Sequence, residues 1–190
     1  FAASDTMLCN GMLCAERAVA LFGPQSAWFM SEIYLAFFPY LGFVLMILIL
    51  QRNALLAQRF AVAFALVWLL GILLVYIAPS WGPCYYYRDL LAVLPRTEVA
   101  DLQEGLWRFK IYLDAHPKST AAAFLISGFP SLHLAVPVLG TIFLGRISRA
   151  LAIFSVLFCL LTLAATIYFG LHYLIDDIGA FFLAVGAYYL

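Results

Sequence analysis

Residues 150–170 read ALAIFSVLFCLLTLAATIYFG and carry no charged side chain. An apolar run of about 20 residues is long enough to cross the hydrocarbon core of a bilayer as a helix. Further apolar runs cover 33–50, 60–78 and, over a shorter length, 132–144, and another begins at 178. None alternates with a period of two residues, which favours helices over a barrel. The sequence therefore predicts an all-α, polytopic transmembrane bundle with five visible spans, and we expect six in the full protein.

The composition is typical of a membrane protein. Hydrophobic residues make up 66% of the chain and charged residues 11%, whereas a soluble domain carries about 25% charged residues. Ten basic residues balance ten acidic ones without a basic run, so no nucleic-acid partner is indicated. The four cysteines form no CxxC pattern, which argues against a zinc ribbon, and their number is too low for a disulfide scaffold.

The short loops predict the orientation of the bundle. Loops 51–59 and 145–149 each contain two arginines and no acidic residue, which places both loops in the cytoplasm by the positive-inside rule. Segments 1–30 and 79–130 then lie on the extracytoplasmic side, together with the polar motifs described below. We treat residues 1–190 as one membrane-embedded domain.

The outer loop contains a predicted amphipathic helix. Apolar residues recur with helical spacing at Val99, Leu102, Leu106, Phe109 and Leu113. An interfacial helix that packs over the bundle is the simpler interpretation, and a mobile lid that admits lipid is the alternative.

Three cysteines lie in the predicted external segments. A disulfide among Cys9, Cys14 and Cys84 is compatible with an oxidising compartment. The sequence does not select a pairing.

The first polar motif interrupts the apolar pattern at residues 128–133, which read GFPSLH. Proline suits the first turn of a helix, and Ser131 is a typical cap for free backbone N–H groups. Such a helix start directs N–H donors and a partial positive charge at an anion, which suits phosphate. His133, in the same turn, is placed to donate a proton to a leaving oxygen. A helix cap with a hydrogen-bonded histidine is the alternative.

The second polar motif is residues 170–177, which read GLHYLIDD. On a helix, His172 and Asp176 would share a face because they are four residues apart. A carboxylate on one ring nitrogen fixes the tautomer and frees the other nitrogen for nucleophilic attack. The alternatives are an interhelical polar pair and a metal site that adds His133. We predict a catalytic pair without metal or other cofactor, because no further ligand is well placed.

Together the motifs resemble the type 2 phosphatidic acid phosphatase superfamily, whose site combines Pro-Ser-Gly-His with a later Ser-Arg…His-x-x-x-Asp. Pro130, Ser131 and His133 match the first motif. His172 and Asp176 match the second. The resemblance covers most of the chain. It implies that His172 attacks phosphorus to give a phosphohistidine, that Asp176 orients it, and that His133 protonates the departing oxygen.

The chain also departs from that family pattern. Leu132 replaces the usual glycine, Ala165-Thr166 stands in place of Ser-Arg, and the early Lys-x6-Arg-Pro motif is absent. The phrase Phe-Pro-Ser-Leu-His, the threonine six residues before the second histidine and His-Tyr-x-x-Asp are similar to one branch. That branch contains the aureobasidin-sensitive inositol phosphorylceramide synthases and their bacterial relatives.

The missing cations bear on the substrate. A site with fewer positive charges suits a singly charged diester better than a monoester, because stabilising the transferred group is mainly electrostatic. Ser131 is predicted to bind substrate, and so is Thr166, which would lie less than two turns before His172 if the helix continued that far. Arg88 and Lys110, with Arg108 as a further candidate, would supply replacement cations, or else they are solvated loop charges.

These points lead us to expect a membrane phosphotransferase that moves a phosphoinositol-like head group from a lipid donor to a lipid or polyol hydroxyl. The alternative is a phosphatase acting on lipid phosphates or polyprenyl diphosphates. In either case the partners of the protein would be the bilayer and a phospholipid or polyprenyl-phosphate substrate, and the sequence does not identify a protein partner. A transporter or structural subunit is less consistent with the sequence, because its polar residues would be spread through the spans.

Overall fold

The described residues of this protein are 1–116 and 128–190 of a computed structural model. They form ten α-helices, two short 3-10 turns and no β-strand, which confirms the all-α class. The helix bounds are Ala2–Leu8 (α1), Cys14–Phe22 (α2), Ala27–Leu35 (α3), Phe37–Leu50 (α4), Ala54–Ile77 (α5), Pro83–Tyr86 (α6), Glu98–Ala115 (α7), Leu132–Gly145 (α8), Arg149–Tyr168 (α9) and Leu174–Tyr189 (α10). The 3-10 turns cover Pro24–Ser26 and Arg88–Leu91.

Three helical stretches are long and apolar enough to cross a membrane, namely Pro24–Leu50, Ala54–Ile77 and Arg149–Tyr168. Helix α8 is apolar but has only 14 residues, about 21 Å at 1.5 Å per residue. Helix α10 has 16 residues and two aspartates in its first turn. The structure therefore supports three of the five predicted spans, and the other two remain predictions.

The helix starts and breaks have local causes. The predicted loop 51–59 is mostly helical, because the Asn53 side chain caps the N–H of Leu56 at 3.1 Å and begins α5 at Ala54. The first span begins at Pro24 rather than near 33. This span is interrupted between α3 and α4. Pro39 has no N–H and cannot donate the helical hydrogen bond to the carbonyl of Leu35.

Helix α8 is the centre of the bundle. All residues from Leu134 to Gly140 are buried, and α8 packs against α4, α5, α9 and α10. A Cβ at Gly140 would overlap the hydroxyl of Tyr40. That hydroxyl is hydrogen-bonded to Ser155 on α9, so glycine permits a polar link between α4 and α9 across the face of α8. The central position of α8 fixes where its N-terminus, and with it His133, lies.

Helix α7 confirms the helix predicted in the outer loop, and most of the predicted apolar face packs on the bundle, where Leu106 and Phe109 contact the buried cluster that contains Val99. Val99 is fully buried, whereas Leu102 is 39% exposed. The side chain of Gln103 faces the bundle and donates to the carbonyl of Phe169 at 2.6 Å. The carbonyls at the end of α9 need donors, and Gln103 provides one. The position of α7 at a membrane interface stays a prediction.

The N-terminal segment is closed by a disulfide between Cys9 and Cys14. Cys84 is a buried free thiol, and burial raises its pKa to about 12. The structure therefore selects one pairing among those that the sequence left open.

Candidate active site

The two polar motifs meet at one end of the bundle. His133 lies in the first turn of α8, and His172 lies in the turn between α9 and α10. Their ring centroids are 6.4 Å apart with an interplanar angle of 47°. Both side chains line one cavity of about 200 Å³. The sequence motifs, 39 residues apart in the chain, thus form one site.

A backbone carbonyl orients the His172 ring. Nδ1 of His172 is 2.8 Å from the carbonyl oxygen of Gly128, which can only accept a hydrogen bond. Nδ1 therefore carries the proton in the neutral ring, and Nε2 is the nitrogen with a free lone pair. Sequence reasoning missed Gly128 in this role, because any residue type supplies a carbonyl and the motif carries no signal for it.

Asp176 joins the two motifs. Its Oδ2 accepts the N–H of Tyr173 at 2.9 Å and is 3.7 Å from Nδ1 of His172. Its backbone carbonyl accepts the N–H of Ser131 at 3.1 Å. Because 3.7 Å exceeds the usual hydrogen-bond length, Asp176 acts on His172 mainly through its charge in this structure.

The predicted helical face for His172 and Asp176 is wrong in detail. Helix α10 begins at Leu174, so His172 precedes it. The chain turns at Gly170, whose φ of +59° favours glycine. The two side chains are brought together by the capping contact between Asp176 and Tyr173 rather than by one turn of helix.

The charges around His172 favour its protonated form. Burial lowers the pKa of His172, but the nearby carboxylates of Asp176 and Asp177 and the hydrogen bond to the Gly128 carbonyl together raise it above its ordinary value. An imidazole stabilised in its cationic state is suited to carry the positive charge that forms when nitrogen bonds to phosphorus.

The cavity beside the histidines is lined mainly by aromatic and aliphatic side chains. The His133 ring is stacked on Tyr34 at 4.5 Å and lies 4.6 Å from the Phe37 ring. The indole of Trp68 also lines this cavity, and its N–H is buried without a hydrogen-bond partner among the described residues. Sequence reasoning missed Trp68, although a tryptophan within the apolar helix α5 was an available signal.

This arrangement agrees with a comparison against known families. The PAP2 superfamily model matches residues 12–190. The chain belongs to the PAP2 superfamily. No curated protein and no solved structure is significantly similar to it.

PAP2 membership defines the class of activity. Members of the PAP2 superfamily are typically phosphatases or phosphotransferases that act on lipid substrates in a bilayer. Together with the three apolar helices, membership indicates an integral membrane enzyme of that class.

Several buried polar atoms of the candidate site have no hydrogen-bond partner among the described residues. Ser131 is the fully buried N-cap of α8, and its hydroxyl has no hydrogen-bond partner among the described residues. The same is true of one carboxylate oxygen on each of Asp176 and Asp177. Unpaired buried polar atoms are rare in proteins, and this group lies where the two motifs meet.

Thr166 is placed away from the cavity that the histidines line. Its side chain is fully buried on α9, and its hydroxyl donates to the carbonyl of Leu163 at 2.9 Å and to Asp177 at 3.4 Å. The predicted contact of Thr166 with the phosphate requires the helix to continue to His172. Because α9 ends at Tyr168, that continuity does not hold, and contact of Thr166 with substrate stays a prediction.

The candidate cations are held in ion pairs outside the histidine cavity. Arg88 bonds Glu104 at 2.7 Å and lies over the ring of Trp107. Lys110 pairs with Asp114 on α7. Neither is among the residues that line the cavity, and no lysine or arginine is found in that described lining. Arg108 likewise pairs with Glu104, at 3.1 Å.

The described ranges contain no group of three or more histidine, cysteine, aspartate or glutamate side chains that could hold a metal ion. The metal-free chemistry remains a prediction.

Proposed function

We propose that this PAP2 superfamily protein is a membrane phosphotransferase that moves a phosphoinositol-like head group from a lipid donor to a lipid or polyol hydroxyl. The observation that supports this proposal best is the His133–His172 pair, with ring centroids 6.4 Å apart, beside an apolar cavity. That spacing leaves room for a phosphoryl group between a nucleophile and an acid.

In the first step, Nε2 of His172 attacks phosphorus while the bond from phosphorus to the lipid oxygen breaks. The Gly128 carbonyl keeps the proton on Nδ1, so Nε2 attacks with its lone pair. His133 donates a proton to the departing oxygen, which leaves as a lipid alcohol. The product is a head group bound to His172 through a P–N bond, with its positive charge stabilised by Asp176.

In the second step, the acceptor hydroxyl attacks the phosphorus of the phosphohistidine and the P–N bond breaks. His133, now neutral, accepts the hydroxyl proton. The proton given to the donor oxygen is recovered from the acceptor, so the enzyme returns to its starting state. Water in place of the acceptor would make the same site a phosphatase.

Two features favour transfer from a diester. The described cavity lining has no lysine or arginine, and a diester brings only one negative charge that needs stabilisation. The wall of aromatic and aliphatic side chains, including Tyr34, Phe37 and Trp68, suits the apolar part of a lipid and disfavours water as the acceptor.

The proposed membrane arrangement is a bundle of five spans, in which α8 and α10 also cross the bilayer. Arg52 and Arg59 lie near the turn between α4 and α5, and Arg146 and Arg149 near the turn between α8 and α9. Both turns are at the opposite end of the connected helices from His133. The positive-inside rule then puts the active site on the extracytoplasmic face, with α7 as an interfacial helix.

The test is a transfer assay with purified protein in phospholipid vesicles. Phosphatidylinositol labelled in inositol and a ³²P-labelled lipid monophosphate are each supplied with and without a lipid alcohol, and each arm is repeated with a chelator. We expect inositol label to move to the lipid alcohol only when that alcohol is present, with no loss on chelation.

His116 provides a matched control for His172. It is exposed at the end of α7 and bonded to the carbonyl of Tyr112. His172→Ala should abolish transfer, and His116→Ala should retain it. Release of inorganic phosphate from the monophosphate faster than any transfer would instead establish the phosphatase. Full transfer in His172→Ala would remove the proposed nucleophile.

A further inference from the structure

One buried carboxylate connects the N-terminal segment to the active site. Asp5 on α1 is fully buried. Its Oδ2 accepts the N–H of Cys14 at 2.8 Å, and its Oδ1 accepts the N–H of Leu174 at 2.9 Å. Cys14 begins α2 and Leu174 begins α10, so a single side chain caps two helices. A carboxylate in this position satisfies free N–H groups and opposes the positive end of each helix dipole.

The contact between Asp5 and α10 lies close to the His172 pair. Asp176 is two residues beyond Leu174 in the first turn of α10. Its carboxylate accepts a hydrogen bond from the N–H of Tyr173 and lies 3.7 Å from Nδ1 of His172. A shift of the first turn of α10 therefore changes the distance between Asp176 and His172.

Two further features fix the position of the N-terminal segment: a disulfide within it, and the contacts of Phe1 with both motifs. The Cys9–Cys14 disulfide closes the turn between α1 and α2. The ring of Phe1 lies 5.5 Å from Phe129 in the first motif and 6.3 Å from Tyr173 in the second. The segment thus contacts the start of α8 and the start of α10 together.

We propose that Asp5 is a positioning residue of the active site, which, held by the Cys9–Cys14 loop, sets the place of Asp176 relative to His172. The residues that match the PAP2 superfamily begin at 12, so Asp5 lies outside the matched part of the chain. The inference rests on the proposed function in that His172 is taken as the nucleophile.

The side-chain chemistry of Asp5 provides a specific perturbation. Its two oxygens accept two different N–H groups. Asn has one accepting oxygen, and its amide nitrogen donates. Asp5→Asn therefore keeps the side-chain shape but places a donor against one of the two N–H groups, which releases α2 or α10.

The experiment follows the titration of His172 by NMR in the full chain. The chain has three histidines, so ¹³Cε1-histidine labelling gives three side-chain signals, and loss of one in His172→Gln assigns it. His172 is faced by Asp176, Asp177 and His133. If Asp176 moves away, its charge supports the imidazolium less.

For Asp5→Asn we expect the midpoint of His172 to fall by at least about 0.5 pH unit. We also expect kcat for head-group transfer to fall about tenfold, with KM within about twofold, since orientation rather than substrate binding is lost. The double variant Cys9→Ser, Cys14→Ser keeps the Asp5 charge but frees the loop, and it should shift the midpoint in the same direction.

Glu16→Gln is the matched control. Glu16 is a carboxylate on the same segment, and its Oε2 accepts the N–H of Leu13 at 3.1 Å at the start of α2. Glu16→Gln removes one charge from the N-terminal segment, keeps an oxygen that can accept the N–H of Leu13, and leaves the Leu174 bond intact. Its His172 midpoint and kcat should match wild type.

Three outcomes would overturn the proposal. The first is an Asp5→Asn protein with a lower Tm but a wild-type His172 midpoint and kcat, which would show a structural role only. The second is a shift in Asp5→Asn with the cysteine variant at the wild-type value, which would assign the effect to charge. The third is a shift of equal size in Glu16→Gln.

The remaining outcomes separate this proposal from the function. If Asp5→Asn does not fold, the cysteine variant decides the question by the same readouts. Suppose that the wild-type protein transfers no head group, but that Asp5→Asn still lowers the titration midpoint of His172 as expected. This result would reject the proposed function and support the positioning role of Asp5, because the titration does not depend on turnover.

Discussion

Replacing Asp176 with asparagine separates its charge from its structural role. Asparagine retains an oxygen for the N–H of Tyr173, which Asp176 accepts at 2.9 Å, so the start of α10 should persist. The Gly128 carbonyl should still orient His172. What is lost is a negative charge 3.7 Å from Nδ1 of His172.

The geometry sets the expected magnitude. Two unit charges about 4 Å apart interact by about 4 kcal/mol at an effective dielectric constant of about 20. About 1.4 kcal/mol corresponds to a tenfold change in rate, so loss of this charge limits the effect to about 10³-fold. Because asparagine keeps a dipole at the same place, we expect kcat for Asp176→Asn to fall about 10²- to 10³-fold.

The assay is single-turnover formation of the phosphohistidine, followed by rapid quench, with Tm measured in parallel. Asp114→Asn, which removes an exposed carboxylate paired with Lys110, is the matched control and should react at the wild-type rate. A folded Asp176→Asn protein with more than a tenth of the wild-type rate would refute the electrostatic role of Asp176 and leave Gly128 as the principal orienting group.

Three further predictions follow from the site. Trp68→Phe removes a buried N–H that lines the cavity and that we expect to bind substrate. Loss of a hydrogen bond of about 1 kcal/mol should raise KM for the lipid donor about 5- to 10-fold and leave kcat nearly unchanged. An unchanged KM would exclude a hydrogen bond from Trp68 to the substrate. Arg88→Gln and Lys110→Gln should each leave kcat/KM within about threefold of wild type, because both cations are paired outside the cavity; a loss of 100-fold or more would place them at the phosphate. In the pH profile of kcat/KM, the midpoint of the acid limb should lie above about pH 6.5, the ordinary histidine pKa. The reason is that His172 must lose its proton to attack and its pKa is raised. A midpoint below about pH 6 would contradict this.

The long-range assembly of the site followed from the sequence because its signals are local and strong. The uncharged run at 150–170 required a helix, and the two histidines stood at matching ends of the apolar runs. The structure contains the helix that begins beside His133 (α8) and the helix that ends before His172 (α9), and the two histidine rings lie 6.4 Å apart. Hydrophobic runs located the helices, and the arginines of the two short loops placed both histidines at the same end of the bundle.

The finer geometry depended on contacts that leave no pattern. The carbonyl of Gly128 could not be predicted as the partner of His172, because every residue has a carbonyl group. Thr166 was expected near the phosphate on a continuous helix, whereas α9 ends at Tyr168 and Thr166 bonds Asp177. Asp5 gave no signal either, because a lone aspartate in an external segment has no characteristic spacing to the helix it caps.

The central claim is that His172 carries the transferred group, and trapping that intermediate tests it most directly. Vesicles containing phosphatidylinositol labelled in inositol are mixed with the protein, quenched in alkali and digested, and the labelled peptide is identified. We predict an acid-labile label on His172 that is absent from His172→Ala and is lost when a lipid alcohol is added before the quench. Label on another residue, or head-group transfer at the wild-type rate by His172→Ala, would contradict the account.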